Sequence, residues 1–229
     1  MTTREPILVT GASGFIGRRC VQALIKRGTP VRAFVLRGES TAGLFPEGVE
    51  LVFGDITDPV SVRQASEGTA GCIHLAAVVG DAGSDELHQR VTVGGTQHIL
   101  DAASQSSRVV VISSITYYGD HLGSHICHET QKRGKPLGPY SRAKQAQEDI
   151  TMQALEAGKN AAIVRPANVY GPASGPRVHD AADLLLQGMP ALIGGGQGNA
   201  GLVYVDNVVD VILAALDSTD ARGRAYNAC

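Results

Sequence analysis

Short apolar runs alternate along the chain with stretches in which apolar residues recur at helical spacing. Runs such as RVVVISS and AAIVRP are apolar almost throughout, which is typical of strands covered on both faces in a parallel sheet. The stretches between them carry apolar residues on one face, as helices that pack on a sheet do. The pattern therefore predicts repeated strand–helix–strand units, and hence a doubly wound parallel α/β fold with helices on both faces.

The same pattern, together with the glycine and proline residues between the runs, predicts where each element begins and ends. The predicted strands are Pro6–Thr10, Val31–Leu36, Glu50–Phe53, Gly71–Leu75, Val109–Ser113, Ala161–Val164, Gly201–Val205 and Arg224–Asn227. The predicted helices are Gly14–Arg27, Pro59–Glu67, Leu87–Ser104, Tyr140–Ala157, His179–Gln187 and Asp206–Leu216.

The composition argues against several classes of protein. The chain has 229 residues, of which 43% are hydrophobic, and a formal net charge of −2 without a long basic run, so nothing predicts nucleic-acid binding. The apolar runs are too short to cross a bilayer. The four cysteines lie far apart without metal-ligand spacing, and no signal peptide precedes them. We therefore expect reduced thiols in a cytoplasmic protein with no bound metal and no membrane partner.

The segment TGASGFIG places Gly11, Gly14 and Gly17 at three-residue intervals between the first strand and the first helix. A helix N-terminus offers unpaired N–H groups and a partial positive charge, which favour a pyrophosphate. Gly11 would permit the turn, Gly14 the approach of phosphate, and Gly17 close packing of helix on sheet. The alternative is a glycine turn that only packs well, but the flanking strand and helix favour a dinucleotide.

Beyond about Pro166 the alternation loosens into the Gly- and Pro-rich segments YGPASGP and GMPALIGGGQGNAG. Loops of this length are common where a parallel sheet builds ligand sites beyond its carboxyl edge. We therefore expect a dinucleotide-binding domain over residues 1–165. Residues 166–229 are expected to supply the substrate-side loops and the last strands and helix of the same core. The substrate-side part forms a small C-terminal lobe, and the sequence leaves open whether this lobe is complete.

The segment PYSRAK places Tyr140 and Lys144 four residues apart at the start of a predicted helix. This spacing puts both side chains on one face, where an ammonium would lower the pKa of the tyrosine toward a range useful for acid–base chemistry. Taken alone, the two residues could also be a surface pair. The hydroxyl-rich segment VISSITYYGD, at the end of the fifth strand, lies where it can meet them at the carboxyl edge of the sheet.

Several motifs together resemble the short-chain dehydrogenase/reductase superfamily, and GFIG resembles its extended, epimerase/dehydratase-like branch. The Gly-x-x-Gly-x-x-Gly spacing is one, and GDITD, HLAA and RPANVYGP, after the third, fourth and sixth strands, are three more. VISSITYYGD is similar to the family's Ser-Ser-x-x-x-Tyr-Gly segment. The resemblance covers nearly the whole chain and implies a Rossmann-type fold. It implies that Ser114 orients the substrate oxygen, that Tyr140 transfers its proton, and that Lys144 holds the nicotinamide ribose.

The resemblance also implies a coenzyme site, in which Asp55 binds the adenine and backbone after the fourth strand lies against its ribose. The implied coenzyme-binding residues are Gly11, Ser13, Gly14, Phe15, Ile16, Gly17, Arg37, Asp55, Ile56, Leu75, Ala76, Ala77, Tyr140, Lys144 and Pro166.

The choice of coenzyme depends on the end of the second strand. NAD-specific members of the family usually carry an acid there, whereas this chain has Val35 and Leu36, followed by Arg37. A guanidinium fits a 2′-phosphate bidentately, although an arginine at a loop start can also simply face solvent. We expect NADP to be preferred over NAD.

The candidate substrate residues follow the fifth and sixth strands. Thr116 is a second hydroxyl that could face the substrate, and Asn168 matches an asparagine that often contacts substrate in sugar-nucleotide members, or else it caps a loop. Arg177 and His179 could meet an anionic group or form a solvated helix start. Asp206 is expected to cap the last helix.

Two features depart from the family pattern. Thr92 stands where the family usually has an asparagine, which puts in doubt whatever that asparagine does for backbone geometry or proton relay. The chain also stops earlier than extended relatives usually do. Three alternatives remain open: the pocket is small and open, another subunit completes it, or the given chain is part of a longer natural product.

These inferences predict an NAD(P)-dependent oxidoreductase that interconverts a secondary alcohol and a ketone, with tyrosine as general acid/base. The first alternative is an NAD-dependent sugar-nucleotide epimerase that oxidises its substrate transiently. The second is a non-catalytic dinucleotide-binding scaffold or sensor. The partners expected are a small-molecule substrate and, from the resemblance, a second copy of the chain in a homodimer that pairs the helices carrying Leu87 and Tyr140.

Overall fold

The computed structural model describes residues 5–81, 83–123, 126–174, 180–189 and 200–229. The strands are β1 (Ile7–Thr10), β2 (Val31–Leu36), β3 (Glu50–Gly54), β4 (Gly71–His74), β5 (Arg108–Ile112), β6 (Ala161–Pro166), β7 (Asn168–Tyr170), β8 (Leu202–Tyr204) and β9 (Ala225–Ala228). The α-helices are α1 (Phe15–Lys26), α2 (Pro59–Ser66), α3 (Asp85–His88), α4 (Gly95–Ala102), α5 (Pro139–Glu156), α6 (Asp180–Leu186) and α7 (Val205–Asp217). A π-helical segment, Gln89–Gly94, joins α3 to α4, and 3₁₀ turns cover Ile115–His121 and Thr219–Ala221.

Seven strands form one parallel sheet in the order β3-β2-β1-β4-β5-β6-β9. The chain moves outward in one direction from β1 to β3 and then crosses back to β4 on the other side of β1. A doubly wound sheet opens a crevice where the strand order reverses, outside the carboxyl ends of the strands. The predicted Rossmann-type fold is therefore confirmed, and its crevice lies between β1 and β4.

Successive residues of the central strands enter two different cores. Val9 of β1 packs with Leu24 of α1 and Ile212 of α7 on one face of the sheet. Leu8, its neighbour, packs on the other face with Val62 of α2. Because both faces are covered by helices, the strands are apolar throughout, which is the pattern that the sequence showed.

Three details differ from the sequence-based expectation. The strand β7 was not predicted, because its three residues are too few to show a pattern, and it pairs with β8 in a separate two-stranded sheet. The predicted helix Leu87–Ser104 is α3, the π-helical segment and α4 in succession. The expected cap at Asp206 is wrong, because α7 begins one residue earlier and the Asp206 carboxylate accepts two hydrogen bonds from the Arg19 guanidinium Nη2, at 2.6 and 2.7 Å.

Residues 200–229 are part of the main core. Strand β9 pairs with β6, and Val203, Ile212 and Ala228 lie in the same apolar cluster as Val9. Within the described ranges, no helix has the length and hydropathy needed to cross a membrane.

Candidate active site

A cleft of about 1080 Å³ opens at the carboxyl edge of the sheet, above the reversal of strand order. Its walls come from the glycine loop after β1, the ends of β4, β5 and β6, and the start of α5. Thirteen of the predicted site residues line it: Gly11, Gly14, Phe15, Ile16, Gly17, Leu75, Ala77, Ser114, Thr116, Tyr140, Lys144, Pro166 and Asn168. The other predicted residues, Ser13, Arg37, Asp55, Ile56 and Ala76, are not among the described residues that line it.

The three glycines of the loop differ in how closely a side chain would approach neighbouring atoms. Gly11 has a φ of +62°, and a Cβ there would lie 2.9 Å from the backbone nitrogen of Ala76. A Cβ at Gly17 would collide with the carbonyl oxygen of Gly11, so this glycine lets α1 lie close against the turn that follows β1. A Cβ at Gly14 would meet only that same oxygen, at 3.2 Å. Contacts within the protein therefore exclude a side chain less strictly at Gly14 than at Gly11 and Gly17. A pyrophosphate lying over Gly14 would explain why this position is also glycine.

Two buried hydroxyls in the cleft wall point to a polar ligand. Ser113 and Thr116 line the cleft, and their side-chain oxygens are buried without a hydrogen-bond partner among the described residues. Buried polar atoms are almost always paired, because an unpaired one loses its hydration without compensation. Together with the cradle at Gly14, these atoms indicate that the cleft residues fit a bound dinucleotide and a substrate oxygen.

Ser114 and Tyr140 both line the cleft, and the Ser114 side chain is near enough to the Tyr140 hydroxyl to lower its pKa. Ser114 follows β5 and caps the 3₁₀ turn by accepting the backbone N–H of Thr116 at 3.2 Å, which fixes its side chain. Tyr140 stands in the first turn of α5, whose N-terminus is held by the Asp81 carboxylate, which accepts the Tyr140 N–H at 3.1 Å. Burial raises the pKa of Tyr140, the neighbouring Ser114 side chain lowers it, and the charge of Asp81 raises it, with a net increase.

Lys144 lies one turn beyond Tyr140, and its Nζ is 5.7 Å from the centre of the tyrosine ring. It is 3% exposed and donates to the carbonyl of Ile112 at 2.8 Å and to the side chain of Gln147 at 3.0 Å. Burial lowers the pKa of this ammonium to about 7, and the charge of Glu148 opposes the decrease. The expectation that Lys144 lowers the Tyr140 pKa is wrong for this structure, in which burial raises it.

A buried chain of polar side chains runs behind the cleft, and the sequence analysis did not find it. The Gln147 amide donates to Thr96 Oγ1 at 2.7 Å, Thr96 meets His74 Nε2 at 2.9 Å, and His74 Nδ1 meets Thr10 Oγ1 at 2.8 Å. Thr96 donates its own proton to the carbonyl of Thr92, and Thr10 accepts two backbone N–H groups. The arrangement is therefore fully paired when His74 is neutral, with its proton on Nε2.

Burial, and secondly the charge of Lys144, lower the pKa of His74 to about 3. The imidazole thus stays neutral at ordinary pH and serves as a rigid connector from β4 to α4. Its only signal in the sequence was its place in HLAA, directly after an apolar strand.

A second buried cluster anchors α5 to β6. The Arg165 guanidinium forms two hydrogen bonds with the Glu148 carboxylate, at 2.9 and 2.7 Å, and both side chains are 4% exposed. The guanidinium also lies 3.8 Å from the centre of the Tyr117 ring and donates to the Tyr118 hydroxyl at 2.8 Å. Burial lowers the Arg165 pKa, but the hydrogen bonds and charge of Glu148 raise it by more than burial lowers it. The residue therefore stays cationic. The cluster fixes the turn that follows Ser114 against the helix that carries Tyr140.

The adenosine end of the expected site carries both signs of charge. Arg37 is exposed just after β2, and its charge is one of the smaller influences that lower the Asp58 pKa, after hydrogen bonds from Ser61 and Val60. Two residues further, Glu39 accepts a hydrogen bond from the Ser13 hydroxyl of the glycine loop at 2.6 Å. The loop after β2 therefore brings a carboxylate beside the glycine loop, a contact that the sequence analysis missed. Asp55 uses one carboxylate oxygen to accept the N–H and hydroxyl of Thr57, both at 2.8 Å.

The remaining candidates have these positions. Thr92, in the π-helical segment, accepts the N–H of Val78 at 3.1 Å, so it supports the backbone beyond β4. Asn168 lines the cleft and donates to the carbonyl of Ala200 at 2.6 Å, so it also holds the neighbouring loop. Arg177 and His179 lie outside the described residues.

Comparisons with known proteins show the family to which the chain belongs. The NAD dependent epimerase/dehydratase family matches residues 7–229. Sterol demethylase protein B of Methylococcus capsulatus is 37% identical over 171 residues, which are 72% of this chain and 52% of that protein. The 2-alkyl-3-oxoalkanoate reductase of Stenotrophomonas maltophilia is 30% identical over 233 residues, with 96% of this chain and 69% of that protein covered.

A solved structure, the UDP-glucose 4-epimerase of Thermus thermophilus in complex with NAD, superposes with a TM-score of 0.81 at 26% identity, over 97% of this chain and 77% of that one. The chain belongs to the NAD-dependent epimerase/dehydratase family, within the extended short-chain dehydrogenase/reductases. It spans about half the length of the first curated relatives that it matches.

Proposed function

We propose that this chain carries the coenzyme-binding and catalytic part of an NAD(P)-dependent oxidoreductase that interconverts a secondary alcohol and a ketone. The observation that carries the proposal is the meeting of Ser114, Tyr140 and the buried ammonium of Lys144 in the cleft that begins at the glycine loop. A proton donor, a second hydroxyl and a cation meet there at one edge of the sheet. This combination suits an oxygen that gains and loses a proton during the reaction.

The glycine loop and the N-terminus of α1 would hold the pyrophosphate, and Lys144, at the far end of the cleft, would hold the ribose next to the nicotinamide. The bound nicotinamide supplies hydride transfer to or from carbon.

The chain's own residues manage the substrate oxygen. Tyr140 donates its phenolic proton to that oxygen during reduction and accepts it during oxidation, while Ser114 donates a hydrogen bond that orients the oxygen and stabilises its developing charge. Thr116, which lines the cleft, offers a second contact to the substrate.

The proposal is tested by incubating the protein with reduced coenzyme and a panel of ketones. The decrease in absorbance of the reduced nicotinamide measures coenzyme oxidation. Tyr140→Phe should lower kcat by about 10²- to 10⁴-fold and leave coenzyme affinity within about twofold, because it removes only the transferable proton. Tyr226→Phe, a matched change on β9 away from the cleft, should keep the activity of the parent protein. Equal activity of the two variants would overturn the assignment of Tyr140.

We propose further that NADP is preferred over NAD, with Arg37 binding the 2′-phosphate. Glu39 opposes this preference, because a carboxylate beside Ser13 would repel that phosphate. Arg37→Ala should weaken NADPH binding about 10- to 100-fold and leave NADH binding almost unchanged, whereas Glu39→Gln should strengthen NADPH binding about threefold. Titration of nicotinamide fluorescence measures both. If Arg37→Ala weakens the two coenzymes equally, the preference is wrong.

A sugar-nucleotide epimerase is the second candidate, and the similarity to a UDP-glucose 4-epimerase with bound NAD favours it. An epimerase returns the hydride to its substrate, so it converts one sugar nucleotide into another without net change in nicotinamide absorbance. Proton NMR of UDP-glucose incubated with the protein and coenzyme separates the two functions. Conversion to a second sugar without net reduction would replace the first proposal by the second.

We also propose a homodimer, in which the helices that carry Leu87 and Tyr140 pair with those of a second copy. Light scattering coupled to size-exclusion chromatography gives the mass directly. A monomeric mass at the concentrations used in activity assays would reject the dimer.

A further inference from the structure

We propose that the substrate is an uncharged ketone or alcohol with an extended apolar skeleton, and that a phosphate-bearing compound such as a sugar nucleotide is not the substrate. This inference rests on the proposed oxidoreductase function and deepens it. Three observations carry it: the apolar walls beyond Tyr140, the charges around them, and the apolar side chains at the mouth of the cleft.

The part of the cleft beyond the Ser114–Tyr140 pair is lined mainly by aliphatic side chains and glycine. The residues concerned are Val79, Gly80, Ile115, Leu122, Gly123, Ile126, Ala167 and Val169. The uncharged polar side chains are few: Ser114, Thr116 and Tyr140 lie near the reacting oxygen, and Asn168 and Ser174 stand among the aliphatic residues. A pocket with aliphatic walls and a small polar end matches a molecule that is apolar except for one oxygen.

The charges near the catalytic pair disfavour an anion. Among the described residues that line the cleft, the one cation is Lys144, and its ammonium already donates to Ile112 and Gln147. A negative charge is also present, because the Asp81 carboxylate at the start of α5 accepts the Tyr140 N–H and lies against Gly138. A diphosphate brought to this end of the cleft would lie near the Asp81 carboxylate and would lose its hydration, with no cation besides Lys144 among the described residues that line the cleft.

The mouth of the cleft exposes apolar surface that a ligand could cover. Ile126 is 83% exposed and Val79 is 73% exposed, and both line the cleft. A single exposed aliphatic residue is ordinary on a protein surface. Two that face the same cleft, in line with its aliphatic walls, offer area that an apolar skeleton removes from water on binding, and such burial is favourable in proportion to the area.

The experiment measures kcat/KM for NADPH oxidation with straight-chain methyl ketones from butanone to decanone. Each added methylene that enters the cleft should raise kcat/KM about threefold to fourfold, until the cleft is filled. In parallel, quenching of bound NADPH fluorescence gives the affinity for each ketone and for UDP-glucose without requiring turnover. Decanone should bind more tightly than butanone, and UDP-glucose should bind more weakly than decanone.

The outcomes separate the two levels of the argument. If butanone is reduced but kcat/KM does not rise with chain length, the substrate class is overturned and the oxidoreductase function stands. If no ketone is reduced but affinity rises with chain length, the substrate class holds and the oxidoreductase function fails. If UDP-glucose binds more tightly than decanone, or no ketone binds, the substrate class is overturned.

A matched pair of variants places the effect in the cleft. Ile126→Glu should lower kcat/KM for decanone about tenfold, because it puts a charge on the wall that the chain of the ketone would cover. Val60→Glu makes a comparable change at an exposed residue of the first turn of α2, outside the cleft, where a carboxylate suits the helix N-terminus. It should have no effect on decanone. If both variants behave alike, Ile126 does not contact the substrate and the proposed wall is wrong.

Discussion

The side chain of Gln147 accepts a hydrogen bond from the Lys144 ammonium at 3.0 Å, three residues further along the same helix. Its other end donates to Thr96 Oγ1 at 2.7 Å, so the orientation of the amide is fixed. An acceptor held in this way restrains the ammonium toward the wall of the cleft. Gln147 does not line the cleft, so we regard it as a positioning residue for Lys144.

We expect Gln147→Leu to lower kcat/KM about tenfold, because Lys144 loses one of its two fixed acceptors. Gln147→Glu should instead raise the Lys144 pKa above its value of about 7, because it places a negative charge beside the ammonium, and should shift the pH profile of kcat/KM upward. The measurement is the pH–rate profile of each variant.

Gln145→Leu is the control for Gln147. This neighbouring glutamine is also buried, but it donates to the carbonyls of Tyr117 and Gly134 and does not touch Lys144. It should lower the free energy of unfolding without moving the pH profile. A profile unchanged in Gln147→Glu would show that Gln147 acts on stability alone.

Stability should depend on the protonation of His74. Its folded-state pKa is about 3, below the ordinary value of 6.5, so the unfolded chain binds a proton that the folded chain does not. Between these values stability is lost as pH falls, and at about pH 5 this one group should remove about 2 kcal/mol relative to neutral pH. Urea unfolding at both pH values measures the loss. In His74→Asn the loss should be smaller by that amount, and an equal loss in both proteins would contradict the buried, neutral histidine.

The Arg165–Glu148 pair should show strong coupling. Glu148→Leu leaves a buried guanidinium without its carboxylate and should cost about 3–5 kcal/mol of unfolding free energy. Arg165→Met should be similarly costly. The double variant should be less destabilised than the sum of the single variants, because neither charge is then buried alone. Additive losses in a double-mutant cycle would mean that the two residues stabilise the fold separately.

Gly14 and Gly17 should respond differently to alanine. Gly17→Ala forces a Cβ against the Gly11 carbonyl and should lower both stability and coenzyme affinity. Gly14→Ala meets one atom at 3.2 Å, so stability should change by less than about 1 kcal/mol while coenzyme affinity falls about tenfold or more. Gly94→Ala is the control, because its Cβ would be at an ordinary 3.5 Å from the nearest atom. Unchanged coenzyme affinity in Gly14→Ala would exclude the pyrophosphate from that residue.

The sequence predicted the sheet, most element boundaries and the meeting of Ser114, Tyr140 and Lys144, because each depends on short-range signals. Apolar runs identify buried parallel strands, and residues after such strands must share one edge of the sheet. The residue pair Tyr140 and Lys144 was predicted from helical spacing alone, which the structure bears out as one turn of α5.

What the sequence did not reveal depends on contacts between distant segments. Glu39 and Ser13 lie 26 residues apart, and Gln147 and Thr96 lie 51 apart, so no local pattern indicates either pair. Asp206 satisfied the local rule for a helix cap, but Arg19, 187 residues away, bonds its carboxylate. The Tyr140 pKa was predicted from its charged neighbour, whereas burial, which a sequence does not display, determines its direction.

The π-helical segment Gln89–Gly94 has a consequence for how this chain can change. A π-helical turn contains about one residue more than an α-helical turn, so this segment holds one residue more than a regular α-helix would need to span it. Deleting one residue there would restore a regular α-helix but rotate everything before it by about 100° relative to α4. His88, whose ring now meets Tyr140 edge-on with centres 6.4 Å apart, would then turn away from the tyrosine. A shortening at this segment that preserves helical structure would therefore still remove the buried ring that lies beside Tyr140.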